Sequence, residues 1–494
     1  MKIKDWLKEV SCTLLQGSLE TEVNEVVYDS RKAAPGCVFV CMKGANVDSH
    51  QFCQAVYQAG CRVFVVEHPV ELPQDCVVIQ TENGRKALAL LSAARFGYPA
   101  EKITVIGVTG TKGKTTTTHM IKGMLEACGQ KTGMIGTNGI DDGQSFYPSA
   151  NTTPESYDLH RYFAAMVENG CRYVVMEVSS QAFKLNRTWG IQFDYGVFTN
   201  LSPDHIGPNE HKDFQEYLHC KSMIFNQSKI GIANRDDEHF EQITQNADCP
   251  VYTYTMEQDG DFVGEHLRYV SQDGFVGLEF QVKGRISAEV KVGIPGRFNA
   301  MNALAAISTV SFLGLPMEQM LKGLEHIHVN GRMEIAWASE KFQVIIDYAH
   351  NAVSMESLLQ TLRAYHPKRL VVVFGCGGNR SKDRRYSMGE IAGKMADLSI
   401  LTADNSRYEK VEDIIEDIKQ ALIPTKGAYL EIPDRREAIS YAIEHAQPGD
   451  MIAIIGKGHE DYQEVNGVRT HFLDREVVDQ VIQSLYAGEK PSKE

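Results

Sequence analysis

The chain is expected to be an α/β protein of three domains, on three observations. Residues 103–108 form an apolar run of the kind buried in a parallel sheet, and the run breaks into a glycine-rich turn ending in Lys114-Thr115-Thr116. Beyond residue 332, short β-branched strands alternate with amphipathic helical stretches, the pattern of a doubly wound α/β domain. The 494 residues also exceed what one hydrophobic core can serve, and about three domains is the natural division. The expected organisation is an N-terminal domain over 1–98, a central P-loop mononucleotide-binding domain over 99–332 and a C-terminal Rossmann-like doubly wound domain over 333–494.

The central domain is read from its loop. Val105 to Thr118 spells VIGVTGTKGKTTTT, and the residues that follow have helical apolar spacing. Strand, glycine turn, Lys-Thr and helix together cradle a nucleotide triphosphate. Glycines let backbone N–H groups turn onto phosphate oxygens, and the helix N-terminus favours negative charge. Gly110, Thr111, Lys112, Gly113, Lys114, Thr115 and Thr116 are the candidate phosphate-binding residues. Lys114 is expected to reach the β/γ-phosphates and Thr115 to hold Mg²⁺. The strict pattern wants a glycine where Val108 stands; Gly107 and Gly110 supply the turn instead.

Composition narrows the classes of partner. A formal charge of −14 disfavours a nucleic-acid surface. No apolar run approaches bilayer-spanning length, and the start of the chain does not read as a signal peptide. The eleven scattered cysteines, none in a C-x-x-C pair, read as reduced buried thiols of a cytoplasmic protein.

In the N-terminal domain, a strand ends in Asp29-Ser30-Arg31, a second covers 36–41, and a helix opens near Asp48-Ser49-His50. Such strand ends suit a diphosphate or a uracil edge, and equally suit plain turn chemistry. Further strands are expected near 60–66 and 76–79, then a helix from 84 to about 96. In the centre, Asn151-Thr152-Thr153 follows the loop, and a strand over 172–178 delivers Glu177 and Ser179 to the edge where a second metal contact is expected. The strand 193–200 delivers Asp204 and His205 to that edge, and 216–225 is helical with Lys221 beside its apolar face. Alone, Lys221 and His205 would pass as a surface lysine and a structural histidine. Residues 251–295 are expected to be hairpin-rich, and 296–306 opens a helix. In the C-terminal domain, strands over 344–347, 370–374, 398–401 and 451–455 lead into polar clusters at Asp347-Tyr348-Ala349-His350, 375–380, Asp404–Arg407 and 456–460.

Taken together, GVTGTKGKTT, NTTPES, MEVSS, FTNLSPDH, the Lys221 helix, GRFNAMNALAA, GRMEI, DYAH, GCGGNR and GKGHEDYQ occur in one order along most of the chain. In this the sequence resembles the Mur ligases, the ATP-dependent amino-acid-adding enzymes of peptidoglycan synthesis, in their MurE type. The resemblance implies a cytoplasmic, monomeric ligase that uses ATP and Mg²⁺. It would add a diamino acid, as third residue, to UDP-N-acetylmuramoyl-L-alanyl-D-glutamate, with no nucleic-acid or membrane partner. By the same resemblance, Thr115 and Glu177 would share one Mg²⁺. Lys221, carbamylated by CO₂, would serve a second with His205. Asn302, Arg332 and Asp347 would hold the adenosine and phosphate part of ATP, and Ser30, His50, Asn151, Thr152, Thr153, Ser179 and Arg187 the UDP-muramoyl dipeptide.

Arg380, Asp404, Asn405, Arg407, Gly456 and Glu460 would hold the incoming amino acid. The resemblance gives diaminopimelate users a D-N-P-R signature, which stands here as Asp404-Asn405-Ser406-Arg407. A guanidinium fork suits the extra carboxylate that L-lysine lacks, so diaminopimelate is favoured over L-lysine. The chain departs from the family at Lys112, at Leu185, in the Ile-Gly-Pro-Asn stretch after His205, and in Asn351-Ala-Val after His350. Rival readings are a folylpolyglutamate synthetase, which would not need the N-terminal domain, and a nucleotide-gated binding paralogue without turnover.

Overall fold

The computed structural model describes residues 1–44, 47–204, 206–207, 210–272 and 274–486. They form two compact units, one of Met1–Val263 with Leu304–Met320, the other of Gly264–Ala303 with the chain from Leu321 on.

The first unit holds two sheets. The N-terminal one runs Cys12–Gln16, Val77–Thr81, Val63–Val66, Cys37–Val40, Glu25–Val27 across its width, parallel apart from the antiparallel first strand. Its central strands are valine-rich because both faces are covered. One face packs on Ile3, Trp6 and the helix Gly84–Arg95. The other meets a cluster that includes Cys37, Cys41, Cys53, Cys61 and Cys76. All eleven thiols are free, as expected, and eight of them are buried.

In the second sheet Thr104–Thr109 lies at the centre, between Tyr173–Glu177 and Phe193–Phe198 and parallel to both. Glycine at 107 lets the sheet pack closely: a Cβ there would sit 2.8 Å from the Phe193 ring. Thr132–Gly136 extends the sheet on one side, and Ser228–Asn234 with Val251–Thr255 on the other. The strand Val251–Thr255 is not part of a hairpin as expected. It pairs parallel with Ser228–Asn234 and then with Phe262 and Val263. Alternating polarity marks a half-buried strand and does not specify its partner. The carboxyl ends of the three central strands deliver Gly110, Ser179 and Asn200 to one edge. The two layers are joined by the Tyr157 hydroxyl on Glu25, which Arg95 also grips from within the N-terminal layer, and by the Tyr28 hydroxyl on Asp158.

In the second unit the antiparallel hairpin of Phe275–Gly284 and Ala288–Val292 precedes a six-stranded sheet. Its order is Glu334–Ala338, Phe342–Asp347, Asp450–Ile455, Arg369–Phe374, Leu398–Leu401, Tyr429–Glu431, parallel but for the first. This is the doubly wound pattern, with an antiparallel edge strand added. The buried pair Arg435–Asp474, 2.7 Å apart, ties the edge together, because Arg435 also donates to the carbonyls of Ala403 and Ile455. An unforeseen hairpin, Tyr462–Val465 with Val468–His471, hangs beyond it.

Candidate active site

The phosphate loop has the predicted form. Gly110 (φ +149°) leaves no room for a side chain, since a Cβ there would lie 1.9 Å from Thr199 Oγ1. Gly113 (φ +86°) starts the helix Lys114–Ala127, whose N-terminus no side chain caps. Its first-turn amides and dipole therefore suit an anion. The loop is braced by its neighbour strand: Thr111 N–H donates to Asn200 O, Lys112 N–H to Asn200 Oδ1, and Thr199 Oγ1 to Lys112 O. The Lys112 side chain itself is exposed. Thr116 is buried on the inner face of the helix.

Thr115 Oγ1 donates to Glu177 Oε1 at 3.0 Å, and Glu177 is 1% exposed. The same carboxylate accepts the Thr137 N–H (2.9 Å) and hydroxyl (3.3 Å). A hydroxyl and a carboxylate at a strand end are hard oxygen donors suited to Mg²⁺.

Lys221 is 1% exposed, and its Nζ donates to Gly110 O at 2.7 Å. Lys114 Nζ donates to the same carbonyl at 2.8 Å and to Thr111 O at 3.1 Å. Burial, reinforced by the Lys114 charge, holds the Lys221 amine well below the usual lysine range. Its neighbour Tyr217 shares a 2.9 Å hydrogen bond with Thr111 Oγ1, and burial pushes its phenol up to about 12. His205 lies outside the described residues.

On the same edge, Thr153 Oγ1 donates to Glu177 O and accepts the Ser179 N–H, and Ser179 Oγ caps the next helix through Ala182 N–H. Thr152 Oγ1 lies 3.0 Å from Thr137 Oγ1, and Asn151 is exposed. Arg187 donates to Thr153 O and Glu155, and Arg85 grips the other Glu155 oxygen at 3.0 Å. In the N-terminal layer Ser30 opens a short turn capped by Asp29. His50 Nδ1–H donates to Asp48 and its Nε2 accepts the Glu67 N–H, so both nitrogens are spent within the protein. The ring stacks on His68 with centroids 4.0 Å apart.

The second unit gathers the other predicted residues. Asn302 is buried and donates to Asn299 Oδ1. Asp347 accepts the N–H groups of Met333 and Ala349, and burial raises its pKa against the charge of Arg332. At the neighbouring strand ends Asn405 Nδ2 donates to Glu460 Oε2 at 2.9 Å. Burial likewise pushes Asp404 up, against the charges of Arg435 and Lys457. Gly456 (φ +111°) would bring a Cβ within 3.1 Å of Asp404. Arg407 (φ +51°) donates through Nη1 to Gly378 O at 2.7 Å, and Arg380 is exposed. Ser406 is 1% exposed, and its hydroxyl has no hydrogen-bond partner among the described residues. The Arg407 turn is held by backbone bonds to Glu464 O and from Asn466 N–H.

The models of three family domains match: the Mur ligase catalytic domain over 22–100, the Mur ligase middle domain over 108–310, and the glutamate ligase domain over 331–458. The UDP-N-acetylmuramoyl-L-alanyl-D-glutamate--2,6-diaminopimelate ligase of Clostridium perfringens is 38% identical over 491 residues, covering 98% of this chain and 100% of its own. The chain belongs to the Mur ligase family. The enzyme of the same name from Geobacillus kaustophilus is 38% identical over 460 residues, 91% of this chain and 92% of its own. A solved structure of a 2,6-diaminopimelate ligase superposes with a TM-score of 0.77 at 27% identity, covering 98% of this chain and 99% of that one. At 17% identity, a Thermotoga maritima MurF ligase in complex with ADP shares the fold, with a TM-score of 0.56 over 95% of this chain and 99% of that one. Membership of this ATP-using ligase family accounts for the phosphate loop. Among the described residues, no helix is long and apolar enough to cross a membrane.

Several residues of this Mur ligase were not singled out from the sequence. Glu155 is gripped by two arginines, and Tyr217 links the loop to the Lys221 helix. Lys457 is fully buried between Asn405 and Glu460. Only spacing could have hinted at Glu155, four residues past Asn151; the others depend on contacts remote in sequence.

Proposed function

We propose that this Mur ligase adds diaminopimelate to UDP-N-acetylmuramoyl-L-alanyl-D-glutamate at the expense of ATP. The division of labour follows the expected domains: 1–98 for the UDP end, 99–332 for ATP, 333–494 for the amino acid. The observation that carries the reading is the enclosed Lys221 amine on the Gly110 carbonyl, beside Lys114 and the Thr115–Glu177 pair. A phosphate loop alone would serve any nucleotide hydrolase. A desolvated lysine whose neutral form is favoured can take up CO₂ to form a carbamate and release a proton, turning a neutral amine into an anionic oxygen donor.

In this reading the side-chain carboxylate of the D-glutamyl residue attacks the γ-phosphate of ATP, giving an acyl phosphate and ADP. Lys114 neutralises charge on the transferring phosphoryl group. Thr115 and Glu177 would hold one Mg²⁺, and carbamylated Lys221 with His205 a second; bound there, the metal supplies charge neutralisation at phosphoryl oxygens. The amine of diaminopimelate then attacks the activated carbonyl, and the tetrahedral intermediate expels phosphate. Carboxylate needs this activation because it is a poor electrophile. Asn302, Arg332 and Asp347 hold the adenosine and phosphate part of ATP. Ser30, Asn151, Thr152, Thr153, Ser179 and Arg187 take the sugar nucleotide, while His50, its nitrogens engaged, orders the loop around it. Arg380, Asp404, Asn405, Arg407, Gly456 and Glu460 take the amino acid, and the Arg407 fork favours diaminopimelate over lysine.

The test offers the protein ATP, Mg²⁺ and UDP-N-acetylmuramoyl-L-alanyl-D-glutamate with either diamino acid, and weighs the product. A mass gain matching diaminopimelate, coupled to ADP release, supports the reading. Lysine addition alone overturns the choice of amine, and absence of ADP with both overturns the ligase.

A further inference from the structure

Lys457 stands between Gly456 (φ +111°) and Gly458 (φ +54°), and this pair of left-handed glycines turns its side chain into the protein. The residue is 0% exposed. Its ammonium donates to Tyr462 O and to Asn405 Oδ1 at 3.3 Å, and lies 3.5 Å from Glu460 Oε2. An ammonium has three donors, and here protein oxygens take all three.

The consequence falls on Asn405. Its Oδ1 accepts from Lys457 Nζ and from Glu464 N–H (2.9 Å), which fills both lone pairs. The amide cannot flip, so Nδ2 must face Glu460, to which it donates at 2.9 Å. The other Glu460 oxygen takes the Tyr348 hydroxyl at 3.3 Å. Stripping an ammonium of water is costly unless its charge is matched, and Glu460 matches it. A lysine that only anchored the Tyr462–His471 hairpin would need the Tyr462 carbonyl and nothing more. Orienting an amide and compensating a carboxylate at the same point are what a site for an amino-acid zwitterion requires.

We propose that Lys457 is the positioning residue of the amino-acid site: it fixes the Asn405 amide and the Glu460 carboxylate, and so sets affinity for the diamino acid without acting on the other two substrates. The inference rests on the amino-acid role given above to Asn405 and Glu460. Its test uses the full chain as wild type, Lys457→Met and Lys457→Arg, with KM measured for each substrate in turn and folding followed by thermal unfolding. In Lys457→Met, KM for diaminopimelate should rise by about tenfold or more, with KM for ATP and for the sugar nucleotide within about twofold and kcat within about threefold. Lys457→Arg keeps the charge and should recover part of the loss. A rise shared by all three substrates, a fall in kcat alone, or no change overturns the proposal. If Lys457→Met does not fold, Lys457→Arg is judged by the same selectivity criterion. A wild-type protein that releases no ADP with diaminopimelate defeats the ligase reading itself; an active wild type with unselective variants defeats only the role of Lys457.

Discussion

Around Gly110 the chain positions its groups mainly with backbone, whereas around Asn405 it does so with side chains. The phosphate loop is a consecutive stretch whose shape follows from two glycines at positive φ and from the central strand of a parallel sheet. The second cluster draws Asn405, Arg407, Lys457, Glu460, Glu464 and Tyr348 from three strand exits and a hairpin, and bonds them to one another. The first arrangement suits phosphate, which any ring of amides can hold. The second suits an amino acid, which must be told from its analogues by individual donors and acceptors.

The largest effect should strike the first region. Lys221→Ala is expected to lower kcat by at least about 10³-fold, as loss of a group that stabilises transferring charge does, with partial restoration by short carboxylates. ADP release reports it, and full activity in that variant would end the carbamate role. Next comes a purely structural break in the second region. Arg435→Met strands the buried Asp474 carboxylate and should cost about 3–5 kcal/mol, read as a lower urea midpoint. A smaller functional effect is expected at Arg407→Ala: KM for diaminopimelate should rise about 30-fold while KM for ATP holds, as loss of a charged fork predicts. Equal use of diaminopimelate and lysine before and after would remove Arg407 from the site.

The smallest effect concerns stability in acid. His160 is buried with neither ring nitrogen bonded among the described residues, and burial lowers its pKa from 6.5 to about 4. The unfolded chain binds the proton first, so this contribution is complete above pH 6.5 and is lost as pH falls toward 4. Between pH 7.5 and 5.5 the loss is about 1 kcal/mol, and His160→Phe should flatten that part of the profile in thermal unfolding.

The same contrast explains what could be read from sequence. The 103–116 stretch declared its strand, turn and helix because each is encoded locally, and Glu177 and Ser179 followed as the end of the adjacent strand. The parallel pairing of Val251–Thr255, the antiparallel Glu334–Ala338 and the Tyr462–His471 hairpin were not legible, since alternation gives a strand its faces and leaves its neighbours open. Lys457 falls in the polar cluster at 456–460, and its pairing with Asn405, more than fifty residues away along the chain, has no local signal. Ser406 stands where the resemblance gives proline, and backbone hydrogen bonds with Glu464 and Asn466 set the Arg407 turn there.

One carbonyl oxygen, that of Gly110, serves two lysines at once. Its two lone pairs are then fully subscribed by the two side-chain nitrogens. A nucleotide that draws the Lys114 ammonium toward its phosphates relieves that crowding, so occupancy of the loop and the chemical state of Lys221 are thermodynamically linked. Whatever modifies Lys221 must alter nucleotide affinity, and nucleotide must alter the modification by the same factor.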